Sequence, residues 1–399
     1  MDIQEISTEA VTAVQGFKAA APIKVSVIIP VYNSQKFIGG CLQQVLAQSL
    51  QEVEIVCVDD GSTDGSADII VQAAQRDSRV KLIRQQNAGP GPARNVGIAA
   101  ATGEFVTFLD ADDRYSSDDY LRALYEGAVD NGVDVSGACF YNDHAGRLET
   151  DFSNDPDLAG YTFTESGVKS YRDYQFDYGF HRFMFKRSLF ESASDAAETA
   201  GDSAAGVADV AADANATDTA ASGPFPALTF FEDPVFLAQT LYRAGHFFAT
   251  NKVGYCYRCD YKVPHWTTKK TADLLEGVRR NLEFSKEQGL PLLHWYTARH
   301  YQLESADVGL GVNPEVSVQQ LADAIVAVEQ QIDRAVLAQV NLAYAEFESP
   351  LKRQLEQLVQ APSWKTRLCA VGYSIKHNKN VFALKGKLRD TVLRAKGCY

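Results

Sequence analysis

The sequence has few cysteines and lacks long apolar runs, and these absences exclude several classes of protein. Seven cysteines among 399 residues are too few for a disulfide scaffold, so a reducing compartment is expected. Cys256 and Cys259 form a lone C-x-x-C pair, whereas a structural zinc site needs about four ligands. No stretch reaches the roughly 18 apolar residues of a membrane span, and the N-terminus lacks the basic start and apolar core of a signal peptide. These features together predict a cytoplasmic protein.

Basic residues are also too scarce for non-specific nucleic-acid binding. Lys and Arg number 38 against 51 Asp and Glu, which gives a formal net charge of −13. The hydrophobic fraction of 46% and the charged fraction of 22% are ordinary for a soluble globular protein, and the length indicates two or three folded units. Residues 351–399 oppose the overall charge, because they contain eleven basic and two acidic residues.

Apolar runs alternate with segments of helical spacing over the first hundred residues. Buried strands are predicted at 25–31, 54–58, 80–84 and 104–109, and helices at 36–48, 64–76 and 90–100. Strands that alternate with helices pair in parallel and form a sheet covered on both faces. The sequence becomes helical again from about residue 268. We therefore expect an α/β protein with a doubly wound, mostly parallel sheet and a helical C-terminal extension.

Residues 191–222 interrupt this pattern. They contain seven acidic residues, no Lys or Arg, and almost no large apolar side chains. Such a segment cannot bury enough apolar area to offset its ordering entropy, which predicts a flexible insertion. Its many alanines leave an ordered helix as the alternative.

Three polar turns follow the predicted strands, at the sheet edge where open parallel sheets bind ligands. They are Pro30–Asn33, Asp59–Asp64 and Asp110–Asp113. A single turn of this kind is also typical of loops and helix caps, which is the better explanation for Asp64. In the third turn, three carboxylates end a buried run and repel one another unless a cation compensates. Mg²⁺ or Mn²⁺ would do so and could also bridge two phosphates.

A further segment, Asn87 to Gly97, is rich in glycine and proline and predicts a rigid turn followed by a helix from about Pro92. A helix start with Arg94 nearby can hold an anionic group. The alternative is a plain turn with a surface salt bridge.

Taken in order, four motifs resemble glycosyltransferase family 2, the inverting enzymes of the GT-A fold. The motifs are Val25-Ser-Val-Ile-Ile-Pro-Val-Tyr-Asn33, Val58-Asp-Asp-Gly-Ser-Thr-Asp64, Ala93-Arg-Asn-Val-Gly97 and Phe108-Leu-Asp-Ala-Asp-Asp113. The resemblance covers roughly residues 24–260. It implies transfer of a sugar from a nucleoside diphosphate donor, with UDP favoured by analogy, to an acceptor hydroxyl. The implied setting is synthesis of a capsular polysaccharide, an exopolysaccharide or another surface glycan.

The resemblance also implies a role for each matched position. Pro30 and Tyr32 would flank the nucleobase, and Asp60 would bond its edge. Arg94 would lie near the sugar-phosphate. The donor's ribose or sugar side would meet Asp110 and Ala111, and Asp112 would be the direct metal ligand.

Farther along, Phe231-Glu232-Asp233-Pro234 resembles the family's Glu-Asp motif, in which Asp233 would be the catalytic base. Without the resemblance, Asp233 would be interpreted as a helix cap beside a proline. Tyr255 to Arg258 resembles the family's closing strand. His265 is a candidate for a further metal ligand, and an ordinary loop residue is the alternative. Trp266 could stack on a sugar or pack on the sheet.

The domain prediction that follows has three parts: a lead-in at 1–23, a GT-A catalytic domain at 24–265 and a helical region at 266–399. Residues 381–394 place Val381, Leu384, Leu388 and Val392 on one helical face, with basic residues largely off it. Such a helix could dock on the inner face of the membrane, near a glycan or lipid-linked glycan acceptor, or could pack its apolar face on the protein.

Two other functions remain open from the residues alone. A nucleotidyltransferase also uses a doubly wound sheet and metal-bound carboxylates, but its basic glycine-rich phosphate loop would stand where this chain has Val31-Tyr32-Asn33. A catalytically inactive glycan-binding protein on the same fold is the second alternative. The joint presence of Asp60, Asp110, Asp112 and Asp233 argues against it.

Overall fold

A computed structural model describes residues 22–152, 158–191, 223–260, 267–307, 316 and 318–340. The chain divides into two compact units, Met1–Lys262 and Val263–Tyr399. Four predictions concern residues outside the described ranges: almost all of the lead-in, the insertion from residue 192 onward, the loop with His265 and Trp266, and the tail helix at 381–394.

A sheet of ten strands forms the centre of the described part of the first unit. The strands are β1 (Val25–Val31), β2 (Val53–Asp59), β3 (Val80–Arg84), β4 (Phe105–Phe108), β5 (Arg114–Tyr115), β6 (Val135–His144), β7 (Arg147–Glu149), β8 (Gly167–Ser170), β9 (Phe183–Lys186) and β10 (His246–Arg258). Their order is β3-β2-β1-β4-β9-β6-β10-β5, with β7 beside β6 and β8 beside β10.

Parallel pairing joins β3, β2, β1 and β4, and also joins β6 to β10. Strand β9 lies antiparallel between β4 and β6 and connects the two parallel groups. The doubly wound α/β fold is confirmed. Every residue of β2 and β4 is buried, because a strand covered on both faces needs apolar side chains on both.

Six helices accompany the sheet in the described part of this unit. They are α1 (Ile38–Leu46), α2 (Ser66–Arg76), α3 (Pro90–Ala100), α4 (Tyr120–Asn131), α5 (Tyr171–Tyr174) and α6 (Glu232–Ala244). Helix α3 contacts β1 and β2, and α4 contacts β6 and β10. A β-carbon at Gly97 would lie 2.4 Å from Ile28 Cγ2, so a side chain there would force α3 away from β1.

Phenylalanine rings from both flanks of segment 192–222 pack on one residue of α6. Phe190, at the end of a 3₁₀ turn (Arg187–Phe190), stacks on Phe236 with ring centroids 5.8 Å apart. Phe225, just after the segment, stacks on the same ring at 3.8 Å. Both flanks are therefore joined to the helix that begins with Glu232.

Four helices form the described part of the second unit, as the C-terminal sequence predicts. They are α7 (Thr268–Glu287), α8 (Pro291–Asp307), α9 (Val318–Gln331) and α10 (Arg334–Val340). Buried His294 of α8 contacts α7 and the turn before α10: its Nδ1 lies 2.8 Å from Ser285 Oγ, and its Nε2 accepts the Asp333 backbone N–H at 3.0 Å. Burial lowers the pKa of His294 to about 4, so the ring is neutral at pH 7.

No helix within the described ranges is both long and apolar enough to cross a membrane.

Candidate active site

The turns that follow β1 and β2 are joined by Asn33. Its backbone N–H donates to Ser62 Oγ at 3.0 Å, and its side-chain oxygen accepts the Thr63 N–H at 2.8 Å. Asn33 has a φ of +49°, a left-handed conformation that asparagine tolerates better than most residues. Beside it, Tyr32 is 52% exposed and Pro30 is half-buried, so an aromatic ring stands at the carboxyl edge of the sheet.

Asp60 fixes the segment that leads into α3. Its Oδ1 accepts from Gln85 Nε2 and from the Ala88 N–H, each at 2.8 Å, and its Oδ2 accepts from the Gly89 N–H at 2.9 Å. The carboxylate is buried, and it accepts hydrogen bonds from two backbone N–H groups of the irregular segment before α3, which would otherwise lack partners. Its contact with a nucleobase stays a prediction.

The acidic turn after β4 is held in place by the end of β10. The Tyr255 hydroxyl donates to Asp113 Oδ2 at 2.7 Å and accepts the Asp110 N–H at 3.2 Å. Arg258 donates from its backbone N–H to Asp113 Oδ1 at 2.9 Å and from Nε to the Asp112 carbonyl at 2.7 Å. Ala111 is buried within the turn. Two residues of one strand therefore set the direction of the whole acidic turn.

The turn offers a donor set that suits a divalent cation. One carboxylate oxygen from each of Asp110, Asp112 and Asp113 lies within 4.8 Å of the other two. Three carboxylates match the hard oxygen ligands that Mg²⁺ and Mn²⁺ prefer. Asp112 is half-buried, whereas the Asp113 carboxylate is buried and holds two protein donors. Asp112 is accordingly the member best placed to face a ligand.

Arg94 joins the acidic turn to the start of α6. Its Nη2 donates to Asp110 Oδ1 at 3.0 Å, and its Nη1 donates to Glu232 Oε1 at 2.9 Å. The side chain is only 5% exposed. Burial by itself lowers the pKa of Arg94, but the nearby Asp110 and Glu232 carboxylates outweigh it and raise that pKa. The prediction that Arg94 lies near a sugar-phosphate is untested by these contacts.

Glu232 and Asp233 begin α6, and the residue before them is strained. Phe231 has a φ of +67°, in the left-handed region that non-glycine residues rarely occupy. Asp233 is half-buried. Burial, and secondly the charge of Glu232, raise the pKa of the Asp233 carboxyl well above its ordinary range, while Arg94 opposes this rise.

The sequence argument missed one residue of this cluster. His181, in a 3₁₀ turn (Phe180–Arg182), places Nε2 3.3 Å from Asp110 Oδ2. It is mostly buried, and its ring centroid lies 5.2 Å from that of Tyr255. A single histidine in a segment without a recognised motif gives no local signal, so only the pairing of β9 with β4 reveals its position.

The fold brings most of the predicted site residues to one edge of the sheet. Asp110, Asp112, Arg94 and the Glu232–Asp233 pair form one connected cluster, and Pro30, Tyr32 and Asp60 lie at the ends of adjacent strands β1 and β2. His265 lies outside the described residues.

This combination of fold and site defines a class of protein, and comparison with known sequences agrees. Residues 26–193 match the family model of Glycosyl transferase family 2.

Two relatives illustrate the match. The uncharacterized glycosyltransferase EpsJ of Bacillus subtilis (strain 168) is 36% identical over 173 residues, which are 43% of this chain and 50% of EpsJ. The poly(ribitol-phosphate) beta-glucosyltransferase of Bacillus spizizenii is 39% identical over 118 residues, 29% of this chain and 18% of that protein. The chain thus spans about half the length of EpsJ and less of the second relative.

Solved structures show the same fold over a larger share of the chain. Staphylococcus aureus TarS, residues 1–349 in complex with UDP-GlcNAc, aligns with a TM-score of 0.58 at 21% identity and covers 84% of this chain and 91% of that one. At this identity the likeness establishes the fold, which is of the GT-A type.

Proposed function

We propose that this protein is a metal-dependent inverting glycosyltransferase that moves a sugar from a nucleoside diphosphate sugar to an acceptor hydroxyl. The observation that carries the proposal is the single cluster formed by the acidic turn, Arg94 and the Glu232–Asp233 pair. These residues lie at the carboxyl edge of the sheet, where ligands of open α/β sheets bind, which supports a donor site beside a catalytic base.

On the donor side, each turn has a distinct task. Tyr32 and Pro30 would cover the faces of the base, and Asp60 would bond its edge. Asp110 and Ala111 would line the ribose and sugar side. Asp112, with its neighbouring carboxylates, would hold Mg²⁺ or Mn²⁺, which supplies positive charge to the departing diphosphate.

On the acceptor side, Asp233 would remove the hydroxyl proton. A carboxylate with a raised pKa is a stronger base than an ordinary one, and nearby Arg94 favours its charged form. Attack by the hydroxyl on the face opposite the diphosphate inverts the anomeric centre in a single displacement. The sugar then needs no covalent attachment to the protein.

The substrate class rests on the similar proteins. TarS was solved with UDP-GlcNAc and with UDP, which supports a UDP-sugar donor. One relative is named for glucosyl transfer to poly(ribitol phosphate), which supports a surface glycan or a lipid-linked glycan as acceptor. Residues 381–394, whose sequence pattern is that of a basic amphipathic helix, would bring the enzyme to such an acceptor at the inner face of the membrane.

Release of nucleoside diphosphate from a panel of UDP-, GDP- and TDP-sugars, with Mn²⁺ or with EDTA, tests the proposal. We expect metal-dependent release of UDP from at least one donor. A nucleotidyltransferase would instead consume a nucleoside triphosphate and release pyrophosphate. Donor binding without any turnover, in the presence of glycan acceptors, would indicate an inactive binding protein and refute the proposal.

A further inference from the structure

We propose that Arg94 is a positioning residue: it couples the donor turn to the base-bearing helix α6 and does not bind the diphosphate. The inference rests on the proposed function, since it assigns Asp110 to the donor side and Asp233 to the base. It departs from the role that family resemblance implies for this arginine.

The first argument is that protein groups already occupy the Arg94 guanidinium. Its two terminal nitrogens donate to Asp110 and Glu232, and Nε is buried without a hydrogen-bond partner among the described residues. The guanidinium carbon lies 4.7 Å from the ring centroid of Phe180 and 5.5 Å from that of Phe225. With 5% of the side chain exposed, little of the group remains for a phosphate oxygen.

The second argument is that the next residue of α3 holds the same segment. The Asn95 side chain accepts the Phe225 N–H at 3.0 Å and donates to the Phe225 carbonyl at 2.9 Å. One turn earlier, a β-carbon at Gly91 would lie 3.1 Å from the Pro226 carbonyl oxygen and 3.4 Å from Glu232 Cγ. Helix α3 therefore holds both ends of the stretch 225–232, through Asn95 at one end and Arg94 at the other.

The third argument concerns charge. Asp110 and Glu232 would repel each other without a cation, and the buried Glu232 could not stay charged. The planar guanidinium satisfies both carboxylates at once, whereas a lysine ammonium is a point charge on a flexible chain. Arg94 therefore fixes the first residue of α6, and with it the direction of Asp233, relative to the donor turn.

The test compares Arg94→Lys and Asn95→Ala with Arg79→Lys. Arg79 is a matched control, because its side chain is only 24% exposed and pairs with Asp77 at 2.9 Å. It lies just before β3, at the amino end of that strand, whereas the candidate site lies at the carboxyl edge of the sheet. For both site variants we expect kcat to fall about 100-fold, as misplaced reacting groups cause. UDP affinity in Mn²⁺, measured by calorimetry, should stay within about threefold because no diphosphate contact is lost. Arg79→Lys should leave both values unchanged.

A double-mutant cycle separates this role from general damage. If Arg94 acts through Glu232, the double variant Arg94→Lys/Glu232→Gln should lose no more kcat than the worse single variant. A loss of UDP affinity above about tenfold in Arg94→Lys would mean a direct charged contact with the diphosphate and would overturn the inference. Multiplicative losses in the cycle would also overturn it. An unmodified enzyme inactive toward every donor would contradict the proposed function instead.

Discussion

The phenol of Tyr255 and the carboxylate of Asp113 form a 2.7 Å hydrogen bond that connects the last strand of the sheet to the acidic turn after β4. Burial raises the pKa of the Tyr255 hydroxyl well above its ordinary value, so the group remains a donor at every physiological pH. The bond therefore holds Asp113 in one orientation beside the half-buried Asp112.

Removal of this hydroxyl should weaken the metal site without unfolding the protein. In Tyr255→Phe, buried Asp113 loses a hydrogen-bond donor, so the free energy of unfolding should fall by about 1–3 kcal/mol. The Mn²⁺ concentration that gives half-maximal UDP release should rise. Tyr171→Phe is the control, because that buried hydroxyl has no hydrogen-bond partner within the described ranges; its loss should leave the Mn²⁺ requirement unchanged and should not lower the free energy of unfolding. An unchanged Mn²⁺ requirement in Tyr255→Phe would separate the hydroxyl from the metal site.

Asp112→Asn should abolish metal-dependent turnover and weaken nucleotide binding while the fold remains intact. The amide keeps the size of the carboxylate but lacks the charge that holds a hard cation. Asp130→Asn on the exposed face of α4 is the matched control and should remain fully active. UDP release and circular dichroism measure the two properties. Full Mn²⁺-dependent activity in Asp112→Asn would remove this residue from the metal site.

Asp233→Asn should bind the donor normally and lose about 10²–10⁴-fold in transfer, the usual contribution of a general base. Because the folded-state pKa of Asp233 is raised, transfer in the unmodified enzyme should decline with falling pH at a higher pH than for an ordinary carboxylate. A pH–rate profile measures this decline. An Asp233→Asn variant that keeps both the rate and the acidic decline would exclude Asp233 as the base.

The raised pKa of Asp233 should make the folded protein less stable at high pH, where the rate of transfer is highest. A carboxyl whose folded pKa exceeds its unfolded pKa stabilises the fold below the unfolded value and loses this contribution as pH rises through the folded value. Above that range the charged Asp233 destabilises the native state, so the melting temperature of Asp233→Asn should exceed that of the unmodified protein at pH 8. The gain should disappear near pH 3, where both states are protonated.

In the second unit, His294 should make stability fall in acid. Its folded pKa of about 4 lies below the ordinary value of 6.5, so its contribution is complete above pH 6.5 and is lost as pH falls toward 4. The full loss amounts to roughly 3 kcal/mol at about 1.4 kcal/mol per pKa unit. Urea unfolding at pH 7 and pH 4.5 measures it, with His294→Gln expected to flatten the difference. The exposed His246 is the control, and His246→Gln should leave the pH dependence intact.

The basic tail should bind anionic membranes. The sequence pattern of residues 381–394 predicts an amphipathic helix, which would be held by apolar burial and by attraction to anionic lipid. The full chain should sediment with phosphatidylglycerol vesicles at low salt, and a chain ending near residue 362 should not. Equal sedimentation of the two chains would show that the tail is not the membrane contact.

The sequence predicts the first half of the sheet closely, because β1, β2 and β4 are buried almost throughout. Strands β1 and β3 match the predicted runs 25–31 and 80–84 at both ends, and β2 and β4 differ by one residue at each end. Continuous apolar runs between polar turns leave little freedom in such boundaries.

The second half escapes a local argument because its positions depend on partners distant in the chain. Strand β6 ends in polar residues and pairs with β10, more than a hundred residues away, across an irregular register. His181 meets Asp110 only because β9 inserts antiparallel beside β4. Spacing along the chain likewise does not predict that Arg94 connects Asp110 to Glu232, which lies 138 residues after Arg94.

Because Phe190 and Phe225 both stack on Phe236, we expect the site to tolerate changes in the length of the chain between them. Both flanks of segment 192–222 contact one ring of α6, four residues after Glu232. Closing a loop twice as long costs only about 0.6 kcal/mol more. We therefore expect sequence inserted, shortened or replaced at this point to carry little penalty in stability, and a reporter peptide or an affinity tag spliced there to leave sugar transfer intact.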